Sequence, residues 1–171
     1  SELWRYDGAT ATQVADINSG YGDSNPSHFT VYNDTLYFQA NGGEDGSELW
    51  RYDGSAVSQV ADINSTYGSD PTDLTVYNGL LYFAANDGST GDELWQYDGS
   101  DVQQVKDLYP GLGSAALYGI AVFNDRLYLP ARNGEDGREP YSYDGSTVTS
   151  IDVFPGASSG GGTHPVVYDD G

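Results

Sequence analysis

Short apolar stretches alternate with polar, glycine-rich ones along the whole chain. In the most complete run, Phe29 to Tyr32 alternates weakly and stops at Asn33-Asp34, a turn pair. Leu36 to Ala40 sets large apolar side chains against mixed residues, the pattern of a second strand. The polar loop Asn41-Gly42-Gly43-Glu44-Asp45-Gly46 follows, then a third strand from Glu48 to Tyr52. Asp53-Gly54 reads as a two-residue hairpin turn, because glycine takes positive φ without a Cβ penalty. Val57 to Ile63 is the fourth strand, and a longer loop from Asn64 to Asp73 leads onward. No stretch carries a helical period of useful length, and Pro110, Pro140, Pro155 and the Gly160-Gly161-Gly162 run oppose one.

The pattern repeats. Glu48-Leu49-Trp50-Arg51-Tyr52-Asp53-Gly54 recurs as Glu2-Leu3-Trp4-Arg5-Tyr6-Asp7-Gly8 and as Glu93-Leu94-Trp95-Gln96-Tyr97-Asp98-Gly99. A looser copy is Glu139-Pro140-Tyr141-Ser142-Tyr143-Asp144-Gly145. Successive Glu positions lie 46, 45 and 46 residues apart, a period that signals a stacked or radial repeat. The next unit has Leu74 to Tyr77, the Asn78-Gly79 turn, Leu81 to Ala85 and the loop Asn86 to Gly91. The third has Ile120 to Phe123, Asn124-Asp125, Leu127 to Leu129 and the loop Asn133 to Gly137. The chain enters at a third strand and leaves after a first strand, Val166-Val167-Tyr168.

These offsets predict one all-β domain over residues 1–171, a four-bladed β-propeller of roughly 46-residue repeats closed by both termini in one blade. The complete units are 28–72, 73–116 and 117–157, and the split unit combines 1–27 with 158–171. Its second strand is not found; a truncated C-terminus, a partner chain or a short closing unit would account for that.

Charge narrows the partners. Six Lys and Arg against 26 Asp and Glu give a net charge of −20, which repels phosphate backbones and anionic membrane surfaces. There is no Cys for disulfides or thiolate metal sites. No apolar run approaches the roughly 20 residues that cross a bilayer, no signal peptide is recognised, and the start at Ser1 is expected of a processed chain. With 23 Gly and 15 Tyr, the composition favours short strands and tight turns.

The four heptads resemble the bacterial repeat family named for its Glu-Leu-Trp-x-x-Asp-Gly-Thr core. The likeness extends to Asp16-Ile17-Asn18-Ser19, Asp62-Ile63-Asn64-Ser65, Asp107-Leu108-Tyr109-Pro110-Gly111, Asp152-Val153-Phe154-Pro155-Gly156 and the Leu-Tyr-Phe strands. Two departures are Tyr at the fifth heptad position and Pro140-Tyr141 in place of Leu-Trp. The family is associated with β-propellers and with large secreted bacterial proteins. The size and layout are also similar to small four-bladed propeller lectins of marine sponges that bind N-acetylhexosamines. The resemblance implies an extracellular, non-enzymatic lectin for glycans bearing N-acetylglucosamine or N-acetylgalactosamine, homo-oligomeric and plausibly dimeric.

In such a fold the loops between strands two and three and those between units share one face. Three equivalent carbohydrate sites are expected there. One groups Trp50 and Tyr67 with Asn86 and Asp87; a second groups Trp4 and Tyr21 with Asn41 and Asp45; a third groups Trp95 and Tyr109 with Asn133 and Asp136. Aromatic faces pack on the C–H face of a pyranose, while carboxylates and amides meet hydroxyls and an N-acetyl group. Against this, the heptad Trp serves equally well as a plug between units, Leu49, Phe38 and Val60 read as core, and Glu48 reads as a partner for backbone or for Arg51; the alternative is a structural or protein-interaction propeller of a larger secreted adhesin-like protein, with Trp4, Trp50 and Trp95 fully buried and no sugar bound. Tyr52 is either packing or platform, the Asp-Gly pairs are turns first, and His28 and His164 belong to no motif. No cofactor is expected. The oxygen-rich loops suggest calcium, but they lack the spacing and terminal Glu of an EF-hand loop. Glu44-Asp45 and Glu135-Asp136 recur as loop elements, which argues against one hydrolytic centre with paired carboxylates.

Overall fold

The computed structural model describes residues 1–44, 46–134 and 137–153, and no helix occurs among them. Three consecutive four-stranded antiparallel meanders follow one two-stranded sheet. The two-stranded sheet pairs β1 (Leu3–Tyr6) with β2 (Ala11–Ala15). Unit 1 holds β3 (Ser27–Tyr32), β4 (Thr35–Asn41), β5 (Ser47–Tyr52) and β6 (Val57–Ala61). Unit 2 holds β7 (Thr72–Tyr77), β8 (Leu80–Asn86), β9 (Asp92–Tyr97) and β10 (Val102–Lys106). Unit 3 holds β11 (Ala121–Phe123), β12 (Arg126–Arg132), β13 (Arg138–Tyr143) and β14 (Val148–Ser150). The first strand expected at Val166-Val167-Tyr168 lies outside the described residues.

The architecture is propeller-like, with the first strands of successive units side by side. Thr30 Oγ1 donates to the Leu74 carbonyl at 2.7 Å. Tyr32 OH reaches the Gly79 carbonyl at 2.9 Å, and one unit on Tyr77 OH reaches that of Asp125 at 2.6 Å. The core therefore lies between sheets. Leu49 of unit 1 packs with Leu81 and Phe83 of unit 2, while Leu94 of unit 2 packs with Leu127 and Leu129 of unit 3. Phe38 and Ala40 face Leu3 of the two-stranded sheet. Leu49 and Phe38 are fully buried, as expected, but Val60 only partly.

The fifth-position tyrosines have a structural reason. Tyr97 packs against Tyr32 and Tyr37 of the preceding unit, with ring centroids 6.4 and 5.7 Å away. Tyr143 meets Tyr82 in the same way at 5.7 Å. The hydroxyls of Tyr6, Tyr52 and Tyr97 each donate to the carbonyl of the glycine two residues on.

Two turn types alternate, and one differs from expectation. Asn33-Asp34 and Asn78-Gly79 have positive φ at both positions and close true two-residue hairpins. Asp53-Gly54 does not. Tyr52 pairs with Val57, so the loop spans four residues, and only Gly54 is left-handed. Asp53 Oδ1 accepts the N–H groups of Ser55 and Ala56 at 2.8 Å each, an Asx-type closure. With the Ala56 N–H and Ser55 as donors, the Asp53 carboxyl is held down to about 2.

The fourth strands also end earlier than the apolar pattern suggests. Leu49 pairs with Ala61 but Trp50 with Gln59, a bulge at Val60 that recurs at Val14 and Val105. β6 ends at Ala61, and Ile63 turns back to the heptad glutamate instead of extending the ladder. Glu48 is buried, and its carboxylate accepts four hydrogen bonds from the inter-unit loop. The donors are the N–H of Ile63, Asn64 and Ser69 at 3.1, 3.1 and 2.9 Å, and Ser69 Oγ at 2.6 Å. Of the two expected partners, backbone and Arg51, the backbone is the one found. Glu2 binds Ile17 N–H, Ser24 N–H and Ser24 Oγ, and Glu93 binds the N–H of Leu108, Tyr109 and Ala115.

Burial pushes the Glu93 carboxyl up to about 7 against its three N–H donors, with Asp107 adding to the rise. Burial likewise raises Glu48, whereas in the less enclosed Glu2 the Ser24 and Ile17 donors overcome desolvation and lower it. Because the folded value for Glu93 exceeds its ordinary 4.5, its stabilising contribution is complete below that pH and is lost as pH rises through about 7. Urea midpoints should therefore fall between pH 4.5 and 7.5 in the wild type and fall less in Glu93→Gln; equal slopes would contradict this assignment. Glu48→Gln turns an amide N–H₂ toward backbone donors and should cost about 2 kcal/mol at neutral pH by urea unfolding.

Candidate functional site

Each clasped loop docks against the loop between strands two and three of the next unit. Between units 1 and 2, the Asn86 N–H donates to the Ser69 carbonyl at 2.9 Å. The Asn86 Oδ1 accepts the Gly88 N–H at 2.7 Å, and its Nδ2 donates to Asp92 Oδ1 at 3.2 Å. The buried Asn64 lies beside Gly88, where a Cβ would come within 3.2 Å of its amide oxygen. These groups form the floor of an open cleft of about 350 Å³. Tyr67 and Leu112, tips of two successive inter-unit loops, wall it at 82% and 84% exposure. Their exposure leaves apolar surface free for a ligand, since neither side chain is spent on the core.

The expected groupings are only partly assembled. Tyr67 and Asn86 line one cleft, as expected, but Trp50 is not with them. Its ring lies under Gly42 of its own unit, where a Cβ would sit 2.9 Å from Trp50 Cζ2, and it packs on the Leu3–Phe38 cluster. Trp95 behaves alike, its Nε1 donating to the Ala85 carbonyl at 3.0 Å. The physical reason is strand pairing: Trp50 sits opposite Phe38 and Trp95 opposite Phe83 on the neighbouring strand, so each ring stays over its own sheet. Full burial of the three, which a purely structural propeller requires, is not seen. Trp50 and Trp95 are half-buried, and Trp4 is 57% exposed on β1, whose described partner is β2 alone.

Asp87 is committed to its turn. Its Oδ1 accepts the N–H of Ser89 and Thr90 and Thr90 Oγ1; desolvation raises its carboxyl, but these donors outweigh that and hold it low. In the preceding cleft, Asn41 Oδ1 accepts the Gly43 N–H at 2.7 Å and faces Asn18 Nδ2 at 3.4 Å, with Tyr21 fully exposed above. Asp45 and Asp136 lie outside the described residues.

In the third cleft, Tyr109 takes the place of Asn18 and Asn64, not of Tyr21 and Tyr67. Its ring is half-buried against Gly113 and Gly134. The tip residue equivalent to Tyr67 is Leu112, which aromatic-based reasoning missed. Counting from Asp16, Asp62 and Asp107 finds it, because Tyr21, Tyr67 and Leu112 all stand five residues on. Asn133 is half-buried beyond Arg132, whose N–H donates to the Ala115 carbonyl at 2.9 Å. Thus the three clefts share a backbone and differ in side chains. Among the described residues no cluster of three or more His, Asp or Glu could hold a metal ion.

No family model matches the chain, and no curated protein does. Among solved structures, one described as Bacteroides ovatus Xyloglucan PUL GH43B aligns with 78% of this chain and 29% of its own, at 17% identity and a TM-score of 0.44. The present chain thus spans less than a third of that protein.

The clefts depend on close backbone approach. Gly46 has φ +73°, and a Cβ there would overlap the Tyr67 carbonyl, whereas Gly54, with φ +94°, faces open space. Gly54→Ala should cost about 1–2 kcal/mol from its left-handed backbone alone. Gly46→Ala should cost clearly more, because it also pries the Tyr67 loop from β5. Equal losses by thermal unfolding would remove the docking role of Gly46.

Proposed function

We propose that this chain is a non-enzymatic carbohydrate-binding β-propeller, with four blades in its ring and glycan sites in the clefts between units. The observation that carries this reading is the cleft walled by Tyr67 and Leu112 over Asn64, Asn86, Asp70 and Asp92. A concave polar floor between two exposed apolar walls suits a pyranose, which offers a C–H face and a rim of hydroxyls. The resemblance of the heptads to the Glu-Leu-Trp repeat family and to small propeller lectins adds N-acetylhexosamines as the sugar class. The turn carboxylates Asp53, Asp87, Asp98 and Asp144 are each bonded within their own loops, which supports a binding role over hydrolysis.

Such open, wet clefts bind weakly; ~1 mM corresponds to about −4 kcal/mol. Several sites on one rigid body raise avidity by roughly 10²–10⁴ when they engage one surface. An extracellular setting and a homo-oligomer would extend that gain.

A second reading rests on the glutamate clasps, although the tryptophans are not fully buried as it requires: the heptads build a scaffold, and the exposed tips dock protein. Calorimetric titration with N-acetylglucosamine and N-acetylgalactosamine separates the two. Tyr67→Ala, at an exposed tip, should leave stability unchanged and weaken binding at its cleft at least tenfold. Absence of heat with both sugars would leave the scaffold reading standing.

A further inference from the structure

The cleft between units 1 and 2 continues inward. Adjoining it is a second, more enclosed cavity of about 290 Å³, lined by Thr72, Ala84 and Leu117 together with Asp70 and Asp92. Asp70 and Asp92 also line the outer cleft, so the two spaces meet at these carboxylates. Ligand pockets occupy about 300–1,000 Å³. One space stands at the low end of that range and the other just below it, and joined they fall well inside it.

Hydrogen bonds orient the two carboxylates. Asp92 has both oxygens engaged, Oδ1 by Asn86 Nδ2 at 3.2 Å and Oδ2 by Ser114 Oγ at 2.6 Å. Asp70 holds a left-handed backbone at φ 46°, with its N–H donated to the Ser47 carbonyl at 3.0 Å. Its Oδ1 accepts Gln39 Nε2 at 3.2 Å, and Oδ2 takes no hydrogen bond among the described residues. The equivalent positions in the other clefts hold Asn25 and Ser47, or Ala116 and Arg138. The left-handed geometry is kept at Asn25 and Ala116, so the side chain is what differs.

Resting on the carbohydrate reading above, we infer that this cleft takes a glycan of at least two residues. One ring lies between Tyr67 and Leu112. The next lies in the inner chamber beside Thr72 and Leu117, with Asp70 accepting a hydroxyl or amide proton where the two spaces join. The other described clefts lack this carboxylate pair, so among the described clefts the extended mode occurs once.

Calorimetry with N-acetylglucosamine and its β-1,4-linked disaccharide tests the inference. The wild type should bind the disaccharide at least tenfold more tightly than the monosaccharide, at one site per chain. Thr72→Tyr fills the inner chamber and should erase that gain while leaving the monosaccharide unchanged. Asp70→Asn, which places at residue 70 the amide already found at Asn25, should reduce the gain severalfold without disturbing the fold. Equal affinity for both sugars, or a gain that survives both variants, overturns the two-ring site and leaves the carbohydrate reading intact. No binding of either sugar overturns that reading itself.

Discussion

A buried carboxylate holding backbone amides organises this molecule. The glutamate that opens each heptad has no charged partner among the described residues; Glu48 instead accepts three N–H groups and a hydroxyl from a loop 15 to 21 residues downstream. Burying a carboxylate is costly unless hydrogen bonds replace its water, and an irregular loop needs acceptors for its own amides. Each solves the other's problem. The clasp fixes where the inter-unit loop leaves the sheet and hence where the next unit begins. Substituting Ser69 by its equivalent Ala115 removes one donor, and Glu93, which lacks that hydroxyl, is the clasp whose carboxyl is pushed furthest up.

Two devices work with the clasp. The bulges at Val14, Val60 and Val105 break the ladder one step before the loop amides turn toward the carboxylate. Tyr97 and Tyr143, at the fifth heptad position, then fill the space between units. Unit 3 differs from the other units at Pro140 and Tyr141. Pro140 faces Pro130 across β12 and β13. Neither has an N–H, so they can oppose each other only at a non-hydrogen-bonded pair, and the ladder is carried by the pairs on either side. The sheet keeps its four strands, and Tyr141 is buried where the other heptads place Trp.

Much of the fold was legible because its period is carried by local chemistry. Strand alternation, Asn-containing hairpins and the 46-residue spacing of glutamates each point to the same meanders. What was not legible depended on register. The Asp-Gly pairs look like two-residue turns, yet the aspartate side chain closes a four-residue loop. Trp50 looked free to reach the next unit, but pairing opposite Phe38 keeps it over its own sheet. Tyr109 looked equivalent to Tyr67 because both are aromatic, while its offset from Asp107 marks it as the counterpart of Asn64. In each case residue type was read ahead of residue position.

The repeat thus sets geometry, and single positions set chemistry. Third strands begin with Ser47, Asp92 and Arg138 at one place in three clefts: neutral, acidic and basic. Arg138 stands 4.2 Å over the Tyr118 ring, where Asp92 instead anchors Asn86 and Ser114. A ligand meeting these clefts encounters the same backbone amides and carbonyls but different charge. Equal affinity at three sites would require a ligand to ignore that charge. The clefts are therefore better understood as one scaffold presenting sites that differ in charge, with a carboxylate pair at Asp70 and Asp92 and no such pair at the equivalent positions of the other described clefts.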